Sequence, residues 1–200
     1  KKCELIRSYD DKAYEKEFDP KGFLCSTGSI MKMAQNACGF KQVGQAEKGV
    51  MLIEHRRCYD EIITYCNVLA YNGLLVPLKG KAKDILFPPM YCIHVEGNSL
   101  ISGSSRYNQN EVTAITDWLS KNRSAIENKY GRLEEAVGII TPFVGQKNSL
   151  RYALKNGGFD VGLMKLGTVH ALQGAERPIV LFSMVYGKGD SGTMFFDRDN

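Results

Sequence analysis

The amino-acid sequence lacks the residue patterns of several common kinds of site. Its six cysteines form no C-x-x-C pair, and its three histidines (His55, His94 and His170) stand far apart. This spacing predicts no metal site, and the scattered cysteines indicate reduced thiols in a cytoplasmic protein. No apolar run approaches the roughly 20 residues of a membrane-spanning helix, so no membrane partner is expected.

Phosphate-binding patterns are also missing from the sequence. It contains no G-x-x-x-x-G-K-[ST] loop and no D-E-x-x motif at the end of a buried strand, the elements that hold the phosphates and Mg²⁺ of a nucleotide. No G-x-S-x-G turn supports a small α/β hydrolase that would use His170. The net charge of +4, from 26 basic and 22 acidic residues, permits a polyanionic partner without requiring one.

What the sequence does contain is an alternation of apolar runs and helical periods. Helices are predicted over Ser26 to Ala37, Tyr59 to Tyr71, Asn108 or Asn110 to Tyr130, and Val144 to Lys155. Strands are predicted over Val50 to Ile53, Tyr91 to Val95, Ala136 to Thr141, a stretch reaching Thr168, and Pro178 to Tyr186. Residues 1–25 are polar and aperiodic and predict an irregular leader, and SGSSRYN predicts a loop. The alternation predicts an α/β fold with a mostly parallel sheet flanked by helices.

Polar residues stand beside these strands, where the loops of a parallel sheet usually carry function. Arg56 and Arg57 fall between a strand and a helix, where a guanidinium could bind a phosphate or simply remain on a solvated surface. Thr141 and Pro142 end another strand, with Gln146 soon after. Their hydroxyl and backbone amides could hold a nucleic-acid phosphate, or the pair could merely begin the next helix.

The densest cluster is TVHALQGAE, which precedes the apolar run PIVLFS. Thr168 and His170 could contact a phosphodiester, and Glu176 could accept hydrogen bonds from a hydroxyl-bearing ligand. A single histidine of this kind can equally be a partly buried structural residue.

Taken in order, HRRC, IITPF and TVHALQGAE resemble the second RecA-like domain of superfamily 1 helicases, in the branch of the nonsense-mediated-decay and Okazaki-processing enzymes. The resemblance covers roughly residues 26–196 and implies a three-layer RecA-like sandwich. By this resemblance Arg57 contacts the γ-phosphate of ATP. Arg56 lies where the family usually has an aromatic residue beside the adenine, on which a guanidinium can also stack. Asn108 through Glu111 match a weaker family feature, for which helix capping is explanation enough.

The resemblance also implies roles for the other two clusters. Thr141, with Pro142 and Gln146, corresponds to one nucleic-acid contact, and Thr168 with His170 corresponds to a second. Gln173 and Gly174 match the segment that couples nucleotide state to the grip on the strand. Gly174 and Glu176 match the nucleotide-binding positions, with Glu176 bonding the ribose.

The resemblance therefore predicts a leader over residues 1–25 and a second RecA-like domain over 26–200, cut just before a final arginine motif. ATP and Mg²⁺ would be bound mainly by a first RecA-like domain upstream of residue 1, and this fragment alone would be inactive. The expected partners are that domain and single-stranded DNA or RNA. The alternative is a non-catalytic nucleic-acid-binding or scaffold module that keeps only the helicase shape.

Overall fold

The computed structural model describes residues 11–24, 28–42, 48–168, 171, 174–187 and 189–190. The chain divides into two compact units, residues 1–82 and residues 83–200, and each unit is described by itself.

In its described residues, the first unit contains a short parallel strand pair and three helices. Its elements are α1 (Asp11–Phe18), α2 (Ile30–Ala37), β1 (Glu54–His55), α3 (Asp60–Ala70) and β2 (Val76–Pro77). The predicted helices α2 and α3 are present. Ser29 caps α2 by accepting a hydrogen bond from Lys32 N at 3.1 Å, as a serine before a helix should. Strands β1 and β2 pair in parallel, with Glu54 opposite Val76.

Two predictions for the first unit differ from the structure. Helix α1 lies within the segment expected to be irregular. The buried strand expected at Val50 to Ile53 is wrong, because Val50 is 67% and Leu52 is 87% exposed and the strand begins only at Glu54. The physical reason is the shortness of β2, which offers pairing for two residues only. The partner strand β2 lies in the segment LLVPLKGKAKDILFPP, whose three prolines predict an irregular excursion.

The second unit is built around a parallel sheet. Its elements are β3 (Leu100–Ser102), β4 (Ser105–Tyr107), α4 (Gln109–Tyr130), α5 (Leu133–Ala136), β5 (Val137–Ile140), α6 (Val144–Asn156), β6 (Lys165–Gly167) and β7 (Ile179–Phe182). The sheet order is β6-β5-β7, with both pairings parallel. Parallel strands flanked by helices confirm the predicted α/β, RecA-like fold.

The core of this unit lies between the sheet and its two long helices. Leu119 and Ile126 on α4 are fully buried, as the apolar stripe of that helix predicts. Ile139 at the centre of β5 and Leu150 and Leu154 on α6 are also fully buried in the same cluster. Strand β5 is the middle strand, so its continuous apolar run is covered from both faces.

Two predictions for the second unit differ from the structure. The strand predicted at Tyr91 to Val95 is wrong, since these residues pair with no strand in the described part of the chain and Ile93 is 57% exposed. The predicted loop SGSSRYN is instead the turn and second strand of the antiparallel hairpin β3–β4. Gly103 at φ +59° makes that turn.

Core packing of α6 can be tested by comparing two large-to-small substitutions on the same helix. Leu150→Ala should lower the free energy of unfolding by about 3 kcal/mol, because it leaves a cavity beneath the sheet. Tyr152→Ala, at a position 71% exposed, should change it by less than about 0.5 kcal/mol. Urea unfolding followed by fluorescence measures both, since the single tryptophan, Trp118, packs in this unit 5.0 Å from Phe87. Equal effects of the two substitutions would contradict the packing.

Candidate functional site

Three hydroxyl-bearing residues follow the three strands of the parallel sheet. Thr141 follows β5, Thr168 follows β6 and Ser183 follows β7, so all three belong to the carboxyl edge of the sheet. Thr141 N donates to Gly167 O at 3.1 Å, and Ser183 N donates to Ile140 O at 2.9 Å. These bonds extend the ladder by one residue on each side and hold the three residues together. Thr168 is half-buried, whereas Thr141 and Ser183 are buried.

Thr141 begins the turn into helix α6. Its Oγ1 lies 3.4 Å from Phe143 N, and its side chain is fully buried. Pro142 is half-buried, and Phe143 occupies the N-cap position without a side-chain hydrogen bond to the helix. Thr141 and Pro142 therefore shape the turn in this structure, and a direct contact from the Thr141 hydroxyl to a ligand would require that side chain to become exposed.

The amide of Gln146 lies beneath the carboxyl edge and joins three elements. Its Oε1 accepts from Asn108 N at 2.8 Å, and its Nε2 donates to Ser183 Oγ at 2.8 Å. The side chain is fully buried, as an amide can be when its donor and acceptor both have partners. The sequence predicts Gln146 as a nucleic-acid contact. In the structure its side-chain amide forms hydrogen bonds inside the unit.

Glu111, near the start of α4, holds the chain that leaves β7. Its carboxylate accepts from the Ser183 hydroxyl and from Val185 N, at 3.0 Å to one oxygen and 3.2 Å to the other. Asn108 and Glu111 have the spacing of a capping box, in which the glutamate would bond back to the N-cap amide. Here the Asn108 amide donates to Gln146 instead. The Glu111 carboxylate is therefore left to accept from the residues just after β7.

Val185 adopts a backbone conformation that β-branched residues rarely tolerate. Its φ is +75°, which costs roughly 1–3 kcal/mol for a residue with a Cβ. Its side chain is fully buried, its N–H is bound by Glu111, and its carbonyl accepts from Asn108 Nδ2 at 3.1 Å. Burial and two hydrogen bonds from the start of α4 therefore offset the strain.

The chain beyond Val185 is anchored by Asp190. Its carboxylate accepts from Gly187 N at 2.6 Å and from Ser99 N at 3.0 Å, and it lies 3.7 Å from the Arg106 guanidinium. Burial raises the pKa of Asp190, but these hydrogen bonds and the arginine charge outweigh it and leave the pKa below its usual value. The residue is therefore ionised at neutral pH and fixes the hairpin to the segment after β7.

The connection from β6 to β7 carries the other predicted ligand contacts. Gly174 has a φ of +85°, a conformation that favours glycine. Glu176 is exposed and stands three residues before β7, at the amino end of that strand. Thr168 thus follows the carboxyl end of β6, whereas Glu176 precedes the amino end of β7. His170 and Gln173 lie outside the described residues.

Arg56 and Arg57 lie in the first unit, in the turn between β1 and α3. Both are exposed, and Arg56 Nη2 pairs with Glu54 Oε2 at 2.9 Å. The turn is closed by His55, whose Nε2 accepts from Cys58 N at 3.0 Å. The two guanidinium groups consequently project from a short, internally bonded turn.

Neither a metal-binding cluster nor a membrane span occurs in the described ranges. Within them, no group of three or more His, Cys, Asp or Glu residues could hold a metal ion. No described helix combines the length and the apolar character needed to cross a bilayer.

Comparison with known proteins finds a family model and curated relatives. A family model described as "AAA domain" matches residues 29–199, which is most of the chain. A curated protein from Danio rerio, "Probable helicase with zinc finger domain", is 27% identical over 109 residues. That alignment covers 53% of this chain but only 6% of the relative, so the chain spans a small part of that relative's length.

The Glu111 contacts can be tested by unfolding measurements on two glutamate variants of helix α4. Glu111→Ala should lower the free energy of unfolding by roughly 2–4 kcal/mol, because it removes the acceptor for the Val185 amide and the Ser183 hydroxyl. Glu127→Ala, which removes only a half-exposed pair with Arg123, should cost about 0.5 kcal/mol or less. If the two variants unfold alike, the carboxylate of Glu111 does not hold the segment after β7.

Proposed function

Because the chain belongs to the AAA domain family and is a helicase-like domain, we propose that it is the second, C-terminal RecA-like motor domain of an ATP-dependent helicase of the superfamily 1B type. The observation that carries the proposal is the β6–β7 connection, which leaves the carboxyl edge at Thr168 and enters β7 just after Glu176. One connection can therefore offer a hydroxyl to a nucleic-acid strand and a carboxylate to a nucleotide.

The nucleotide contacts belong to two exposed turns. Arg57 presents a permanently charged fork suited to the γ-phosphate of ATP, and Arg56 can stack on the adenine. Gly174 allows the chain to turn, and the exposed Glu176 can accept hydrogen bonds from the ribose hydroxyls. The sequence has no phosphate-binding loop, so ATP phosphates and Mg²⁺ are assigned to a first RecA-like domain. When bound there, ATP supplies the scissile phosphoanhydride, and Arg57 stabilises charge on the transferred group.

The strand contacts belong to the carboxyl edge. Thr168 and Pro142 are only half-buried and can meet a phosphate directly, together with His170. Thr141 and Gln146 are buried, so they contribute by fixing the turn into α6 and the strand ends above which the nucleic acid lies. The small positive net charge is consistent with single-stranded DNA or RNA as the partner. Gln173 links the strand contacts to Glu176 along the chain.

The γ-phosphate role predicts different kinetic effects for the two neighbouring arginines. In the full-length protein, Arg57→Ala should lower kcat of strand-stimulated ATP hydrolysis by about 10³-fold, as for other arginines that reach a transferred phosphoryl group. Arg56→Ala should instead raise KM for ATP by about threefold to tenfold, because stacking on a base contributes to binding in the ground state.

Arg151→Ala serves as the control, since Arg151 is an exposed arginine on α6 with no proposed role. It should leave both parameters unchanged. Steady-state ATPase assays with and without single-stranded nucleic acid measure these effects. Normal turnover in Arg57→Ala would refute the γ-phosphate role of Arg57, whereas an absence of strand-stimulated ATP hydrolysis in the unsubstituted protein would favour the non-catalytic scaffold.

The strand contact predicts a loss of affinity when one hydroxyl is removed. Thr168→Val in the full-length protein should weaken binding of a fluorescent single-stranded oligonucleotide by about fivefold at fixed salt, the equivalent of one hydrogen bond. Thr113→Val makes the same change on the exposed surface of α4 and should leave the Kd unchanged. Equal affinities for the two variants would remove Thr168 from the interface.

A further inference from the structure

A lysine after strand β2 holds the backbone of the turn that carries Arg57. Lys79 Nζ donates to the Arg57 carbonyl oxygen at 2.6 Å. The same ammonium lies 4.6 Å from the centre of the Tyr59 ring, over its face. A charged donor to a carbonyl and a cation over an aromatic face are both favourable contacts, and together they restrict the ammonium to one location.

The neighbouring backbone is fixed at two further points. On one side of Arg57, the Cys58 amide is bound by the His55 imidazole at 3.0 Å. Two residues further along on the same side, Asp60 N donates to Gly80 O at 3.1 Å, and Gly80 N donates back to Asp60 Oδ1 at 3.1 Å. The segment after β2 therefore lies along the start of α3. Lys79 adds a contact to the peptide carbonyl of Arg57 itself.

We propose that Lys79 is a positioning residue for Arg57, an inference that rests on the proposed function. With the Cys58 amide already bound by His55, the bond to the Arg57 carbonyl holds the second polar group of the same peptide plane and so restricts the directions in which the Arg57 side chain can leave the backbone. A guanidinium that must meet a transferred phosphoryl group gains rate from such pre-organisation, because a misplacement of about 1 Å can cost up to 10²-fold. Lys79 acts through the backbone and does not itself contact the nucleotide.

The test compares two exposed lysines two residues apart in the full-length protein. Lys79→Met keeps an apolar side chain of similar length but removes the ammonium, and should lower kcat of strand-stimulated ATP hydrolysis about tenfold. KM for ATP and the Kd for single-stranded nucleic acid should stay within about twofold, as expected for a group that acts on the transition state. Lys81→Met makes the same charge change and should alter none of the three. Lys79→Arg, which retains a charged donor, should recover part of the lost kcat.

The Arg57→Ala background separates positioning from direct contact. If Lys79 acts through Arg57, adding Lys79→Met to Arg57→Ala should give no further loss of kcat. If the losses of kcat from the two substitutions multiply in the double variant, Lys79 contacts the ligand directly and the inference is overturned. A rise in KM for Lys79→Met alone would lead to the same conclusion. Normal kcat in Lys79→Met alongside a large loss in Arg57→Ala would reject the inference and keep the proposed function. Normal kcat in Arg57→Ala would reject the γ-phosphate role of Arg57, and an unsubstituted protein without strand-stimulated ATP hydrolysis would reject the proposed function itself.

Discussion

The carboxylate of Glu111 is the contact on which the carboxyl edge of the sheet depends. It joins the start of α4 to the Ser183 hydroxyl and the Val185 amide, and it leaves the Asn108 amide to Gln146 on α6. A single network thereby connects two long helices to the end of β7. Buried polar networks of this kind are stable only when every member has a partner, so the network specifies one arrangement of these elements rather than merely adding to stability. The residues proposed to meet a nucleic acid rest on that arrangement.

Most of the second unit could be predicted from sequence, because α4, β5 and α6 each carry an apolar pattern set by local geometry. Leu119, Ile139 and Leu150 fall at the buried positions that those patterns require. The errors arise where pairing with a distant segment decides the outcome. Val50 to Ile53 is as apolar as a core strand, yet the short β2 cannot cover it. The hairpin β3–β4 has no alternating pattern, and nothing local distinguishes it from a loop.

The residue types of the candidate site could be predicted from the sequence, but their burial, hydrogen-bond partners and backbone conformations could not. Thr141 and Thr168 follow strands, as expected, and the sequence indicated that much. Gln146 was expected to face a ligand but is buried, because an amide can accept from a backbone N–H and donate to a hydroxyl at the same time. The role of Glu111 was hidden by its capping-box spacing. The left-handed conformation of Val185 could not be predicted from the sequence, because β-branched residues rarely adopt it.

Strand β7 is four residues long, about 13 Å from end to end. Its Phe182 end leads directly into the Glu111 network, and its Ile179 end follows the exposed Glu176. All four residues of β7 pair with β5. Slippage by one residue would move both ends by about 3.3 Å and turn every side chain of β7 to the opposite face, so the register with β5 fixes the positions of both ends.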